Sequence, residues 1–183
     1  MKVTGQNRKL AKKGLTRDYI LELSKKKNEP KWLRDLRLAG LKYWEELRMP
    51  TWAPDISALN LDEILLYVET RNEMVSSWDA VPEEIKRTFE KLGIPEAERE
   101  HLAGVGAQYD SEVIYHNLKE RIAKKGVVYL PMEEAIQLTK RRKEEVIKQY
   151  GVDLVAIIKN HFMKLITEKD HKFAALHAAV WSG

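Results

Sequence analysis

The chain contains no cysteine, and this absence removes several classes of site at once. Its 183 residues include five histidines but no thiol. A chain without cysteine forms no disulfide, gives no thiolate to a metal or cluster, and has no cysteine nucleophile. Any chemistry of this chain therefore has to use oxygen and nitrogen groups.

Long apolar runs are also absent. No stretch approaches the ~20 apolar residues of a membrane-spanning helix, and the first residues lack the apolar core of a signal peptide. We therefore expect a cytoplasmic protein without membrane contact. The hydrophobic fraction of 44% is sufficient for one domain with a sizeable core, and the charged fraction of 33% predicts a densely charged surface.

Positive charge is concentrated at the amino-terminal end. The net charge of the chain is +4, but residues 1–27 carry nine lysines and arginines against two acidic residues. That segment is +7, which leaves −3 for the remainder. Because no aromatic residue precedes Tyr19 to stack on bases, we expect residues 1–15 to be a basic flexible tail. A basic helical nucleic-acid-binding protein is the alternative.

Apolar residues at intervals of three and four predict helices over most of the chain. Thr16 is placed to cap a short helix that carries Tyr19 and Leu23 on one face. Pro30 suits the first turn of a longer helix. Gly40 lies on the apolar stripe of that helix, where it would let another backbone approach closely.

Two further helices are predicted in the second half of the chain. Pro131 begins a long helix that continues through Tyr150 and exposes Arg141. The most apolar segment, residues 152–166, is predicted to be a largely buried helix with Phe162 in the core. Together with the preceding helices, this pattern predicts a mainly α fold.

Short strands would add an α+β character. The apolar runs 61–68 and 127–130 favour one or two short strands that could pair with each other. Between them, the small residues and glycines at the start of segment 102–120 suit a tight loop. We expect that loop to lead into a helix over 111–125 that is capped by Asp110 or Ser111.

Acid–base groups occur near this loop without forming a recognised catalytic pattern. Tyr109, Asp110 and His116 could be the centre of a small enzyme, which is a second alternative. We favour capping and buried hydrogen bonding for these groups. The histidines show no paired spacing of the HExxH kind. We therefore assign no catalytic, cofactor-binding or metal-binding residue.

Five collinear segments resemble one known family. They are KKKNEPKWLRDLRL (25–38), MPTWAPDIS (49–57), SWDAVPEEIKRTFEKLGIPEAER (77–99), LAGVGAQYDSEVIYHNLKE (102–120) and KFAALHAAVWSG (172–183). In this order they resemble the amino-terminal region of the SufB family, the scaffolds of the SUF iron–sulfur cluster assembly system. Five segments in order are far more specific than one short motif.

The resemblance implies a non-catalytic scaffold segment. It implies a helical N-terminal domain over 16–169 and a connecting helix over 170–183, which in the family leads to a β-helix absent here. The iron–sulfur cluster belongs to the complete family assembly, and the resemblance implies no cofactor in this chain. The implied partners are a SufC-type ATPase and a SufD-type or second SufB-type subunit, mainly through regions absent here. Some relatives carry a cysteine cluster near residues 69–77, whereas this chain does not.

The last residues suggest a docking edge. Asp170 is placed to cap a helix that runs from His171 towards the end of the chain, and four large apolar residues follow it. We expect these residues to form an exposed docking edge for the missing continuation or a partner chain. In the alternative, this helix folds back on the same core. The four residues are Phe173, Leu176, Val180 and Trp181.

Overall fold

The computed structural model describes residues 8–11, 13–70, 74–91, 93, 104–109, 111–118 and 120–182. The described chain is mainly helical, which confirms the predicted fold class. Its α-helices are α1 (Arg17–Lys26), α2 (Lys31–Glu46), α3 (Glu83–Lys91), α4 (Glu120–Ala123), α5 (Met132–Tyr150), α6 (Leu154–His161) and α7 (Lys172–Val180). Its strands are β1 (Arg8–Ala11), β2 (Val68–Thr70), β3 (Gly104–Tyr109) and β4 (Glu112–Leu118).

The strands form two small sheets, in which β1 pairs with β2 and β3 pairs with β4. Strand β1 lies inside the segment for which a flexible tail was predicted. The predicted tail covers residues 1–15, and its residues 1–7 and 12 lie outside the described residues.

The chain divides into two compact units that differ from the predicted division at residues 16 and 170. One unit combines residues 11–67 with 132–182 and contains α1, α2, α5, α6 and α7. Residues 68–131 belong to the other unit and are inserted in the sequence between the two parts of the helical unit. Elements that are distant in sequence therefore share one helical core.

Helices α1 and α2 begin where the sequence predicts. The hydroxyl of Thr16 accepts a hydrogen bond from the backbone of Tyr19 at 3.2 Å and caps α1. Asn28 has a φ of 49°, a left-handed conformation that ends α1 before Pro30 starts α2. The Trp44 side chain is buried in the core, as expected for an aromatic residue on the apolar face.

The end of α1 is also held by α5. Gln137 donates through its side-chain amide to the carbonyl of Lys27 at 2.9 Å. Lys140 donates to the side-chain oxygen of Asn28 at 2.7 Å. Gln137 therefore satisfies the backbone carbonyl of Lys27 at the carboxyl end of α1, and Lys140 holds the side chain of Asn28 beside it. Helix α5 itself is interrupted at Arg142, which has φ of −144° and ψ of 52°.

The predicted helix over 152–166 ends earlier than expected. Helix α6 stops at His161, and Phe162 has already left helical geometry. Met163 then takes a φ of 54°, so the chain turns sharply. The prediction of a largely buried segment is wrong, because Leu165 is 97% exposed and Ile166 is 60% exposed.

The inserted unit contains the main error of the sequence analysis. The segment 102–120 is a β-hairpin in its described part, and no helix follows until α4. Gly104 pairs with Leu118 and Gly106 with His116, with an irregularity after Ala107. The predicted helix over 111–125 is therefore wrong, and Asp110 lies outside the described residues.

Hydrogen bonds between the hairpin and other segments help to explain why these residues form strands. Val75 donates its backbone amide to Ile114 at 3.0 Å and accepts one from His116 at 3.0 Å. The hydroxyl of Ser111 accepts from the backbone of Val68 at 2.9 Å, so Ser111 does not cap a helix. The backbone groups of β4 thus find partners outside the hairpin as well as in β3.

The predicted strands differ from the observed ones. Residues 61–63 form a short 3₁₀ turn, and only Val68 of the predicted first strand lies in β2. Residues 127–130 have no regular structure, and three of their four side chains are exposed. Among the described residues of this unit, Val81, Ile85, Ile114 and Tyr115 form a buried apolar cluster, and Val68 is also buried.

Candidate functional site

The expected docking edge lies on helix α7, whose start differs in one detail. His171, not Asp170, is the capping residue, because its Nδ1 accepts a hydrogen bond from the backbone of Ala174 at 3.1 Å. Asp170 instead accepts hydrogen bonds from the backbone and hydroxyl of Thr167. These bonds lower the pKa of Asp170 and fix the turn that precedes α7.

Helix α7 packs closely against α2 at Gly40. A Cβ atom built on Gly40 would lie 2.7 Å from the carbonyl oxygen of Ala175 and 2.7 Å from the amide nitrogen of Ala179. Real Cβ atoms do not approach backbone atoms so closely. The absence of a side chain at Gly40, together with the alanines of α7, therefore brings the two backbones together, as the sequence predicts.

Each of these helices caps the carboxyl end of the other. Arg37 of α2 donates to the carbonyl of Ala179 at 3.0 Å and to the carbonyl of Trp181 at 3.1 Å. Lys172 of α7 donates to the carbonyls of Trp44 and Leu47 at the end of α2. Two cations thus satisfy terminal carbonyls in an antiparallel helix pair.

Trp181 is not exposed, so this part of the docking prediction is wrong. It is 4% exposed, and its ring lies 4.7 Å from the guanidinium of Arg37 and 5.0 Å from the ring of Phe162. Arg37 is itself fully buried and is paired with Glu29 at 2.6 Å. Trp181 therefore belongs to the core around this ion pair.

The other three residues of the expected edge are half-buried. Leu176 and Val180 pack against the buried cluster that includes Ile20 and Leu41. Phe173 instead lines an open cleft beside α7. The fold-back alternative therefore describes Leu176 and Val180, and the docking hypothesis now depends on Phe173 and its neighbours.

The cleft has a volume of about 490 Å³ and is mainly apolar. Phe162, Met163 and Ile166 line one side, and Phe173 and Ala174 of α7 line the other. Its volume is within the usual range for small-molecule sites, about 300–1,000 Å³. The cleft joins the turn after α6 to the beginning of α7.

Apolar side chains continue beyond the cleft onto the outer surface. Leu165 lines it and yet is 97% exposed. Trp52 is 70% exposed, and its ring lies 5.4 Å from His171 and 6.5 Å from Phe173, two residues that line the cleft. We call Trp52, Leu165, Ile166 and Phe173, with the cleft between them, the apolar surface.

Four titratable groups line the cleft of this surface, namely Lys164 and the histidines His161, His171 and His177. Partial burial and the positive charge of Arg37 lower the pKa of His177, so the neutral imidazole is favoured. Lys164 also lines the cleft. Among the described residues, no ion pair involves Lys164.

The alternative enzyme site is only partly described. The His116 ring lies 4.5 Å from the ring of Tyr129, and its buried Nε2 atom has no hydrogen-bond partner among the described residues. The side chains of Tyr109 and Asp110 lie outside the described residues. Within the described ranges, no group of three or more histidine or acidic side chains could hold a metal ion.

Sequence reasoning missed two features of the site. The first is the buried pair of Arg37 and Glu29, for which the sequence did carry a signal. Arg37 lies four residues after Leu33 and seven before Trp44, on the buried face of an otherwise apolar stripe. The second is the exposure of Leu165, for which the apolar pattern gave the opposite indication.

The sequence of this chain is similar to known proteins over nearly all of its length. Two are named iron–sulfur cluster assembly SufBD family proteins, from Staphylococcus aureus and Staphylococcus haemolyticus. Each is 46% identical to this chain over 173 residues, which is 94% of this chain and 34% of the relative. The chain therefore spans about a third of the length of these relatives.

The other comparisons add no relative. No family model matches the chain, and no solved structure matches it. Among the helices in the described part of the chain, none is long and apolar enough to cross a membrane.

Proposed function

This chain is a SufB/SufD-like region, and we propose that it takes part in iron–sulfur cluster assembly as a scaffold segment without catalytic activity of its own. The observation that carries this proposal is 46% identity over 94% of the chain to proteins named for that assembly. Similarity of this extent supports a shared role better than any single motif does.

The described structure supports a binding role for the helical unit. Its largest buried polar group, Arg37, is used to hold α2 against α7 and has no open face for a substrate. One open feature of this unit is the apolar surface, whose four apolar side chains can bury area against another protein. The geometry thus fits docking better than chemistry.

The partners are part of the proposal. The family likeness suggests a SufC-type ATPase and a SufD-type or second SufB-type subunit in the cytoplasm. These contacts would be made mainly by parts of the family proteins outside the third that this chain matches. The cluster is the cargo of that assembly, and this chain has no thiolate with which to ligate it.

A segment replacement in Staphylococcus aureus tests the proposal. The part of its SufBD family protein that aligns with this chain would be replaced by this chain, and in a second strain it would be deleted. We expect the replacement to maintain the activity of a [4Fe–4S] enzyme and the deletion to lose it. Equal loss in both strains, with the chimeric protein present at normal abundance, would contradict the proposed function.

A further inference from the structure

We propose that the apolar surface is the docking site for a polypeptide segment that carries acidic residues beside its apolar ones. This inference rests on the proposed scaffold function and specifies the surface and the chemistry of the partner. It is carried by three observations within the helical unit, which are the shape of the turn after α6, the extent of the exposed apolar residues, and the charge around them.

The turn after α6 is held in a shape that presents apolar side chains to solvent. Met163 has a φ of 54°, a conformation that a non-glycine residue adopts only when its surroundings impose it. Thr167, four residues after Met163, donates two hydrogen bonds to the side chain of Asp170, which hold it in place. Leu165 and Ile166 lie between these two constraints and are the most exposed apolar residues after α6.

The occupant has to be larger than the cleft. A small molecule that filled the cleft would cover Phe162 and Phe173, which line it. It would leave the outward faces of Leu165 and Trp52 in water, because these side chains are 97% and 70% exposed. A polypeptide can place one apolar side chain in the cleft and cover the rim with its neighbours, as hot-spot residues do at protein interfaces.

The charge around the cleft favours an acidic partner. Residues 159–172 contain four lysines and two acidic residues, a net charge of +2 with neutral histidines, and Lys164 is the lysine of this segment that lines the cleft. The carboxylate of Asp170 is already used by Thr167, whereas Lys164 makes no ion pair among the described residues. A carboxylate on the partner would therefore meet, at the edge of the cleft, an ammonium group that forms no ion pair within the described part of the chain, which favours acidic over basic segments.

A peptide selection tests this proposal with the full chain. Short random peptides displayed on phage would be selected on the wild-type chain and counter-selected on Leu165→Ser. The enriched peptides would be synthesised, and their affinities measured by fluorescence anisotropy at low and high salt. We expect enriched sequences that combine large apolar residues with aspartate or glutamate, and affinities that fall as the salt concentration rises.

Matched variants locate the binding site. Leu165→Ser and Ile166→Ser should each weaken binding about thirtyfold, the effect of removing a hot-spot side chain. Lys164→Glu should weaken it as well, because it reverses the charge at the edge. Val152→Ser replaces another exposed apolar residue of the same unit and should leave the affinity unchanged. Because all four side chains are exposed, equal thermal midpoints are expected and confirm that the variants fold.

Several results would overturn the proposal. They are the absence of enriched peptides, equal binding to Leu165→Ser, or enrichment of basic sequences. If dodecanoate, a fatty acid, binds at the apolar surface and no peptide displaces it, the occupant is instead a small anionic amphiphile. Self-association of the wild-type chain that Leu165→Ser abolishes in sedimentation experiments would identify a second copy. If the segment replacement maintains the activity of the [4Fe–4S] enzyme but the peptide selection fails, the result contradicts the docking proposal alone and leaves the proposed function supported.

Discussion

The guanidinium of Arg37 and the carboxylate of Glu29 form a buried ion pair at the end of helix α7. Arg37 donates through Nε at 2.9 Å and through Nη2 at 2.6 Å, and the two side chains are 0% and 3% exposed. Arg37 also donates through Nη1 to the carbonyl of residue 179 and through Nη2 to the carbonyl of residue 181. The guanidinium, the carboxylate and the carbonyls at the end of α7 depend on one another, because the loss of one would leave the others unpaired in the core.

Replacing Arg37 should destabilise the protein strongly. Arg37→Ala leaves the Glu29 carboxylate and two carbonyls buried without partners, and we expect a loss of about 3–5 kcal/mol in the free energy of unfolding. Urea denaturation measures this loss. Lys31→Ala, which breaks the exposed pair of Lys31 with Asp35, should cost within about 0.5 kcal/mol. Similar costs for the two variants would show that the buried pair is not important for stability.

Gly40→Ala should also destabilise the protein, although alanine is the better helix former by about 1 kcal/mol. The new methyl group would overlap two backbone atoms of α7 at 2.7 Å, so we expect a net loss of about 1–3 kcal/mol. The double variant Gly40→Ala with Ala178→Gly should recover little, because trimming Ala178 leaves those backbone atoms in place. Glu45→Ala on the exposed face of α2 is the control, and a stabilised Gly40→Ala would contradict the packing described here.

Phe162→Ala should reduce the free energy of unfolding less than the apolar pattern of residues 152–166 suggests. Phe162 is half-buried, and its ring centroid lies 5.0 Å from that of Trp181 in an edge-on arrangement and 6.1 Å from that of His177 in a tilted one. We therefore expect a loss of about 1–3 kcal/mol, below the 3–5 kcal/mol typical of a fully buried phenylalanine. Arg141→Ala on the exposed face of α5 should cost within about 0.5 kcal/mol. Equal shifts of the urea midpoints would contradict this assignment.

The stability of the chain should decrease as the pH falls, because of the protonation of His177. Burial and the charge of Arg37 lower the pKa of His177 in the folded state, so the unfolded chain binds this proton more readily. The contribution is fully present above the unfolded pKa of about 6.5 and is lost as the pH falls through the folded pKa. His177→Asn should therefore reduce the loss of stability in urea between neutral and mildly acidic pH, whereas His161→Asn is the matched control. An unchanged pH dependence would contradict the prediction.

The purified chain should not retain an iron–sulfur cluster. Thiolates are the usual ligands of such clusters, and this chain contains none. Anaerobic reconstitution with iron and sulfide, followed by removal of unbound ions and analysis of both elements, tests this. Stoichiometric iron and sulfide on the purified chain would refute the prediction and would assign a cluster to nitrogen or oxygen ligands.

The sequence by itself determined the helices whose signals are local. The capping hydroxyl of Thr16, the proline that precedes α2, and the apolar stripe that includes Gly40 all act within a few residues of one another. Such signals need no distant partner, because a helix makes its backbone hydrogen bonds within itself. The family likeness was also present in the sequence, since it depends on residue identity and order.

Only the tertiary structure decided the hairpin and the apolar surface. The segment Val113-Ile114-Tyr115 has the composition of a strand, and it pairs with the nearby β3 and also with Val75, which is distant in the sequence. Leu165 repeats the helical spacing of Leu154 and Ile158, yet the backbone turn at Met163 removes it from that face. Periodicity predicts the face of a continuous helix, and it cannot show where tertiary contacts end the helix and leave an apolar side chain in solvent.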